Sequence, residues 1–212
     1  MARQFQVRTS KVLVRQLLLV HALYYGLGIG TLYASGFFIA VVPGEIYRSG
    51  KPDLEDIPKL VQKYGIKTVV NLRGHRAPGV AEETEVVTGL GIAIEHVDLS
   101  AYRLMRSDRL LKLIRILETA ERPLLIHCNH GVDRSGTASA IAAWLVGGMP
   151  YASAKWHAFV PPGPWKHRAK ISPHHVSETL DQYEAYCESL GVGPDDRAQF
   201  KHWAAHEYYH VE

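Results

Sequence analysis

Residues 127–136 of this chain read HCNHGVDRSG, and the neighbouring residues predict a regular element on each side of this segment. The four residues before it, 123–126 (PLLI), form a short apolar run that predicts a buried strand. Residues 137–146 (TASAIAAWLV) are rich in alanine and uninterrupted, which predicts a helix. The sequence therefore predicts a strand, a tight loop that begins at Cys128, and a helix that begins near Arg134.

The loop between that strand and helix is suited to hold an anion beside a nucleophile. Backbone amides from Asn129 to Arg134 can converge on one oxyanion, and a helix N-terminus adds its partial positive charge. Arg134 carries a planar guanidinium that can bind two phosphate oxygens at once. The same positive surroundings favour the thiolate of Cys128 over the thiol, so we expect a charged nucleophile at neutral pH.

The Cys-x5-Arg-Ser-Gly pattern, preceded by His, resembles the signature loop of cysteine-based protein tyrosine and dual-specificity phosphatases, most closely their small bacterial dual-specificity-like members. Three further stretches match that superfamily in the same order: residues 43–52 (PGEIYRSGKP), 64–73 (YGIKTVVNLR) and 96–101 (HVDLSA). The resemblance extends from Val42 to Tyr186. It implies hydrolysis of phosphate esters through a phosphocysteine, without a metal or any other cofactor.

The resemblance also implies a role for each residue of the loop. Cys128 is the expected nucleophile, His127 is expected to support the loop by hydrogen bonding, and Ser135 is expected to ease departure of the thiolate. The residues expected to bind phosphate are Asn129, His130, Gly131, Val132, Asp133 and Arg134.

The family's general acid is an Asp on a loop before the Cys, and two residues compete for that role here. Asp98 lies thirty residues before Cys128 and follows a predicted strand, so it is favoured. Asp108 is the alternative. Because Ser107 is predicted to cap a helix over residues 108–120, Asp108 is better interpreted as a charge that complements the helix dipole.

Other charged side chains around the loop allow two interpretations. Asp133 either orients Arg134 or faces solvent. Phosphoinositide-directed relatives often carry Lys in this loop, and its absence makes polyphosphorylated inositol substrates less favoured, although His130 can partly substitute. Four arginines either line the rim of the pocket or are simply solvated: Arg73, Arg76, Arg103 and Arg106.

The N-terminal part differs in composition from the rest. Residues 1–15 carry Arg3, Arg8, Lys11 and Arg15 and no acid, and the 27 residues 16–42 carry no formal charge. A membrane-spanning helix needs about 20 mostly apolar residues, so residues 16–42 are predicted to be a single-pass anchor. The alternative is a helix and strand buried against the domain. The positive-inside rule places the catalytic domain on the periplasmic side in a Gram-negative cell.

From residue 43 onward the predicted strands and helices alternate. We therefore predict an α/β domain over residues 43–212, with a mostly parallel central sheet and helices on both faces. Residues 1–42, a basic segment followed by the hydrophobic anchor helix, precede it. The 212 residues include 47% hydrophobic and 21% charged side chains, which suits one globular domain with an appendage. A net charge of +3 without a long Lys/Arg run argues against nucleic-acid binding.

The remaining cysteine and the histidines indicate no further chemistry. With Cys128 assigned, Cys187 is left without a disulfide partner and is predicted to be a core residue. His202, His206 and His210 share one helical face, but no accompanying ligand completes a metal motif, so a solvated face is the favoured interpretation.

The sequence thus predicts a phosphatase that acts on a phosphorylated protein or a small phosphate ester. Two alternatives remain: a phosphate-binding module with little turnover, and a rhodanese-like sulfurtransferase, since that fold also places a reactive Cys in a strand-to-helix loop. The natural substrate and the oligomeric state are left open.

Overall fold

The computed structural model describes residues 38–158 and 176–208. Its five-stranded sheet has the order β1-β2-β5-β3-β4. Strand β1 pairs with β2 in antiparallel fashion, and all other neighbours are parallel. The strands are β1 Ile39–Val42, β2 Ile46–Ser49, β3 Thr68–Asn71, β4 Ala93–His96 and β5 Leu124–His127.

Seven α-helices lie in the described part of the chain, and a short 3₁₀ helix, Lys155–Ala158, follows the fifth of them. Most follow a strand, as parallel pairing requires a crossover between neighbouring strands. The helices are α1 Ile57–Tyr64, α2 Val80–Gly89, α3 Ser107–Thr119, α4 Asp133–Leu145, α5 Tyr151–Ala154, α6 Glu178–Ser189 and α7 Arg197–His206.

Alternating side chains of the central strands enter two separate cores. Leu124 and Ile126 belong to the larger core, which α3, α4, α6 and α7 complete. Leu125 belongs to the smaller core, together with Ile57 of α1 and Val87 of α2. Because successive strand residues point to opposite faces, helices cover both faces of the sheet. The predicted α/β architecture with a mostly parallel sheet is confirmed.

The N-terminal boundary of this domain lies earlier than predicted. Residues 39–42 were expected to end a membrane helix, but they form the edge strand β1, in which Val41 is buried. The β-branched residues of this segment, Ile39, Val41 and Val42, suit a pleated strand better than a helix. Residues 16–37, the rest of the predicted anchor, lie outside the described residues. None of the helices within residues 38–158 and 176–208 is both long and apolar enough to cross a membrane.

The register of the central strands places their carboxyl ends at one level. Ser49 at the end of β2 and Asn71 at the end of β3 are both aligned with His127 at the end of β5. Ligands of open parallel sheets bind outside the carboxyl ends of the strands. The loop that begins at Cys128 leaves the sheet at this edge.

Candidate active site

Cys128 directly follows the central strand β5 and leads into the loop before α4. Its side chain is only 2% exposed. Its Sγ lies 3.4 Å from Oγ of Ser135, which sits in the first turn of α4. The predicted nucleophile and the hydroxyl predicted to ease its departure are therefore in contact.

The loop turns sharply, and the backbone amides of His130 and Ser135 approach the sulfur. Gly131 at the tip has φ of 72°, a left-handed conformation that glycine adopts without strain. Helix α4 begins at Asp133, and Gly136 donates its amide to Val132 O at 2.8 Å. The amides that precede Gly136 in this first turn have no intrahelical acceptor, which leaves them available to an anion.

These surroundings set the charge of the nucleophile. Burial raises the pKa of the Cys128 thiol, but four interactions together outweigh it and lower the pKa below its ordinary value. They are hydrogen bonds from the Ser135 hydroxyl and amide, the positive charge of Arg134, and the amide of His130. A lower pKa increases the fraction of the nucleophilic thiolate at neutral pH.

Arg134 links the cysteine loop to the segment that carries Asp98. Its Nη1 lies 3.5 Å from the carbonyl oxygen of Leu99, the residue after Asp98. The guanidinium is therefore held beside the acid-bearing segment. The structure brings the predicted phosphate-binding arginine and this segment together.

Asp98 is held in place by the loop that follows β3. Its Oδ1 accepts the backbone amide of His75 at 2.9 Å, and its Oδ2 lies 3.0 Å from the His75 imidazole. Arg109 lies 3.9 Å from the same Oδ2. Gly74 passes so close that a Cβ at this position would meet Asp98 Oδ1 at 1.9 Å.

A pocket of about 110 Å³ lies beside Asp98, and its lining is partly cationic. Arg103 and Arg106 contribute to it, as do Leu104 and Met105. Both arginines are exposed, and this pocket is lined by none of the residues of the cysteine loop. Whether the two arginines reach the rim of the phosphate pocket or only solvent therefore stays open. Of the other two, Arg73 donates to Pro78 O at 2.6 Å, and Arg76 is exposed.

Asp108, the alternative acid, occupies the first turn of α3. It pairs with Arg106 at 3.0 Å and with Arg109 at 3.4 Å. Its position fits the helix-terminus interpretation. The predicted cap was wrong, however: α3 begins at Ser107 with Arg106 as its cap position, and the Ser107 hydroxyl donates to Tyr208 O instead.

Two of the residues predicted to bind phosphate lie at the surface. Asn129 and His130 are exposed, and Asn129 Nδ2 lies 3.1 Å from His130 Nε2. The carbonyl oxygen of Asn129 accepts the amide of Lys51 at 3.2 Å. This bond joins the cysteine loop to the chain that follows β2.

His127 belongs to a buried polar chain that the sequence analysis missed in part. Its Nδ1 lies 3.3 Å from Cys128 O, and its Nε2 lies 2.5 Å from Oε1 of Glu83. The other carboxylate oxygen of Glu83 accepts Nδ2 of Asn71 at 3.0 Å. One signal for Glu83 was present: in α2 it falls at helical spacing between the buried Val80 and Val87.

Arg48 of β2 is the second residue that the sequence analysis missed. It is 1% exposed, and its Nη1 donates to His157 O. It lies in the YRSG segment that carried part of the resemblance, but the pattern alone gave no reason to expect a buried cation.

The second cysteine and the C-terminal histidines show no arrangement that indicates further chemistry in the described residues. Cys187 is buried in the core, as predicted. The rings of His202 and His206 lie 4.7 Å apart, and His210 lies outside the described residues. Within residues 38–158 and 176–208 there is no group of three potential metal ligands.

Comparison with known proteins places this site in a family. A model of the family "PTP-SAK: Swiss Army Knife protein, DSP-PTPase phosphatase domain" matches residues 35–180. A curated relative from Oryza sativa subsp. japonica, named inositol diphosphatase DSP1, is 29% identical over 100 residues. That match covers 46% of this chain and 45% of the rice protein, so the chain spans less than half the length of this relative.

Solved structures are similar to this chain as well. Tk-PTP in its active form shows the same type of fold, with a TM-score of 0.50 at 19% identity over 69% of this chain and 94% of its own. The core catalytic domain of the PP-IP phosphatase SIW14 from S. cerevisiae has a TM-score of 0.47 at 23% identity, with 82% and 85% covered. The family model carries the assignment: this chain belongs to the DSP-PTPase phosphatase domain family of the PTP-SAK type, within the cysteine-based protein tyrosine and dual-specificity phosphatases.

Proposed function

We propose that the chain hydrolyses phosphate monoesters through a covalent phosphocysteine at Cys128. The observation that carries this proposal is the environment of the sulfur. A buried thiol with a lowered pKa faces loop amides at the start of α4, next to a guanidinium. An anionic nucleophile and an anion-binding loop at one place are what phosphoryl transfer to a thiolate requires.

In the first step the phosphate group of the substrate occupies the loop. Amides of residues 129–134 and the guanidinium of Arg134 bind its non-bridging oxygens and balance their charge. The Cys128 thiolate attacks phosphorus, an S–P bond forms, and the P–O bond to the leaving group breaks. The electron pair of that bond goes to the leaving oxygen, which takes a proton from an acid.

In the second step water cleaves the phosphocysteine. The water oxygen attacks phosphorus and gives a proton to the acid group that was deprotonated in the first step. The S–P bond breaks, and its electron pair returns to sulfur as thiolate. The Ser135 hydroxyl, 3.4 Å from Sγ, can donate a hydrogen bond to that thiolate. Inorganic phosphate then leaves the loop.

We assign the acid role to Asp98. Its segment contacts Arg134 through Leu99, and it borders the pocket that holds Arg103 and Arg106. In the complex, the carboxyl group of Asp98 would release His75 and form a hydrogen bond with the leaving oxygen of the substrate instead. The pairing of Asp108 with Arg106 and Arg109, both at the start of its own helix, favours a structural role for that residue.

Two substrate classes fit this site. The simpler class is a phosphorylated protein or a small phosphate ester, for which one phosphate in the loop suffices. The name of the rice relative brings a second candidate, an inositol diphosphate. Arg103 and Arg106 beside Asp98 could pair with its additional phosphates, although the loop itself lacks Lys.

We also propose that residues 16–37 anchor the chain to a membrane, with the catalytic domain on the periplasmic side. The support lies in the sequence: these residues carry no formal charge, and four cations without an acid precede them.

A panel of substrates tests the proposed function. Activity towards an aryl phosphate that is lost in Cys128→Ser supports the phosphatase. Phosphate binding without turnover in the intact chain would favour the binding-module alternative, and turnover of thiosulfate instead of phosphate esters would favour a sulfurtransferase.

A further inference from the structure

Arg48 is a fully buried cation in the inner strand β2. Only 1% of its surface is exposed, and it ranks among the largest fully buried side chains. Moving a guanidinium out of water is strongly unfavourable unless charged partners compensate for the lost hydration. A buried arginine therefore needs an explanation in terms of the charges around it.

Within the described part of the chain, the partners of Arg48 do not include a carboxylate. Nη1 donates to the carbonyl oxygen of His157 in the 3₁₀ helix. Among residues 38–158 and 176–208, Nε has no hydrogen-bond partner, and none of the ion pairs there includes Arg48. The compensating negative charge has to come from another kind of group.

The sheet register points to the cysteine loop. Arg48 is aligned with Ile126 of β5, and residues two apart on a strand point to the same face. Ile126 and Cys128 belong to the same core cluster. The side chain of Arg48 therefore enters the sheet face on which the Cys128 thiol lies.

Gly136 shows how close the guanidinium comes to the first turn of α4. A Cβ at Gly136 would lie 2.8 Å from His157 O and 3.3 Å from Nη1 of Arg48. The preceding residue, Ser135, touches the sulfur of Cys128. The lack of a side chain at residue 136 thus makes room for a cation beneath the loop.

The charge of Arg48 persists at neutral pH. Burial lowers its pKa to about 10, against the opposing effect of the negative charge on Cys128. The imidazole of His157 has a pKa lowered by burial and then by the charge of Arg48. A neutral imidazole leaves Arg48 as the cation on this side of the loop.

The other titratable and charged groups lie on the loop itself and on the elements that contact it. They are Arg134 and Asp133 of α4, His130 of the loop, His127 of β5 with Glu83 of α2, and Asp98 with His75 on the far side of Arg134. Arg134 is expected to be engaged by the substrate phosphate, whereas the buried Arg48 cannot reach solvent.

We propose that Arg48 is the buried counter-charge of the Cys128 thiolate and acts as a positioning residue beneath the loop. This inference rests on the proposed phosphocysteine function, in which the thiolate is both the attacking and the departing group. An opposite charge held nearby stabilises the thiolate in both steps. Arg134 remains available to bind the phosphate.

The test is the rate of iodoacetamide alkylation of Cys128 as a function of pH, read by peptide mass spectrometry on the full chain. Arg48→Gln keeps a donor for His157 O but removes the charge. We expect the midpoint of the Cys128 profile to rise by roughly 1 pH unit in this variant. Arg48→Lys, which keeps the charge, is expected to return the midpoint most of the way to that of the unmodified chain.

A purely structural role of Arg48 predicts a different midpoint for Cys128 alkylation in Arg48→Gln. If Arg48 only ties the 3₁₀ helix to the sheet, folded Arg48→Gln keeps the original midpoint, and this result would overturn the proposal. Alkylation does not require turnover, so a chain that proved inactive on phosphate esters would still give a clear answer. Failure of the proposed function and failure of this inference are thereby distinguishable.

Gly136→Ala covers the case in which Arg48→Gln does not fold. The added methyl group would collide with His157 O, the acceptor of Nη1, and crowd Nη1 itself, so the guanidinium loses its anchor while the arginine stays in the chain, and the midpoint is expected to rise here as well. Gly89→Ala is the matched control, since a Cβ at this helical glycine meets nothing within 4 Å. Equal midpoints for folded Gly136→Ala and Gly89→Ala would contradict the proposal.

Discussion

Nε2 of His127 lies 2.5 Å from Oε1 of Glu83, and both side chains are at most 1% exposed. This contact connects helix α2 to the residue just before the nucleophile, and the other ring nitrogen of His127 faces Cys128 O. Asn71 holds the second oxygen of Glu83. Asn71, Glu83 and His127 thus form a buried polar chain. Because any other arrangement of the loop would leave one of these buried groups without its neighbour, the chain favours a single loop conformation.

We therefore expect Glu83→Gln to destabilise the fold and lower kcat/KM. Loss of the charged partner of a buried group costs about 1–3 kcal/mol in the free energy of unfolding. Denaturant titration and a phosphatase assay on one preparation measure both effects. Glu82→Gln on the exposed face of α2 is the control and is expected to stay within about 0.5 kcal/mol. Equal stability of the two variants would show that the contact with His127 is unimportant.

Gly74 tests the placement of Asp98 without altering the acid. A Cβ at residue 74 would collide with Asp98 Oδ1, so Gly74→Ala has to displace this carboxyl group. We expect roughly 10–100-fold slower hydrolysis of substrates with poor leaving groups, less than the full effect of a general acid.

Gly44→Ala is the matched control for Gly74→Ala. Gly44 has φ of 80°, close to the 82° of Gly74, but a Cβ there meets nothing within 4 Å. Both variants therefore carry a similar backbone strain of about 1–2 kcal/mol. A similar loss of activity in both would assign the effect to strain and would remove the evidence for Asp98.

Direct substitution of the two candidate acids separates them. Asp98→Asn is expected to slow hydrolysis of alkyl or tyrosyl phosphates by about 10²–10⁴-fold and to affect activated aryl phosphates much less. The basic limb of its pH–rate profile should flatten, because the protonated carboxyl group that causes this limb is gone. Asp108→Asn is expected to have little effect.

The acidic limb of the same pH–rate profile reports the ionisation of Cys128 and serves as an internal control. Because the pKa of Cys128 is lowered, the rate should rise with pH through a value below the ~8.5 of an ordinary thiol, in the unmodified chain and in Asp98→Asn alike. If Asp108→Asn, and not Asp98→Asn, shows the dependence on the leaving group, the acid lies further along the chain than we propose.

The edge strand β1 determines where a shortened chain has to begin. A chain that begins at residue 36 keeps β1 and its buried Val41, whereas one that begins at residue 43 loses both. We expect the first to be active and clearly more stable in thermal unfolding, since a fully buried Val contributes about 1.5–3 kcal/mol.

Fractionation of the full chain tests the proposed anchor. Full-length protein is expected in the membrane fraction, and the chain that begins at residue 36 in the soluble fraction. Full-length protein in the soluble fraction without detergent would contradict the anchor at residues 16–37.

The central strand, the cysteine loop and α4 could be predicted because local signals there agree. An apolar run, a loop motif of fixed spacing and an alanine-rich helix each identify their own element, and parallel pairing follows from the alternation of strands and helices. The placement of Ser135 against Cys128 also follows, since both belong to one short loop and turn.

Contacts between distant segments left no such local signal. Ser107 looks like a helix cap, but its hydroxyl bonds to Tyr208 O, 101 residues further along the chain. Glu83 is one of three acids in residues 82–85, and only packing decides which of them faces inward. In the same way, the burial of Arg48 depends on the 3₁₀ helix, whose His157 lies 109 residues away.

The central claim is that Cys128 carries the phosphoryl group during turnover. Acid quenching of a reaction with an activated aryl phosphate, followed by peptide mass spectrometry, measures this directly. We predict that the peptide containing Cys128 gains the mass of one phosphoryl group, and that Cys128→Ser shows neither this gain nor turnover while still binding vanadate. Turnover at an undiminished rate in Cys128→Ser, or a phosphoryl group found on another residue, would contradict the account.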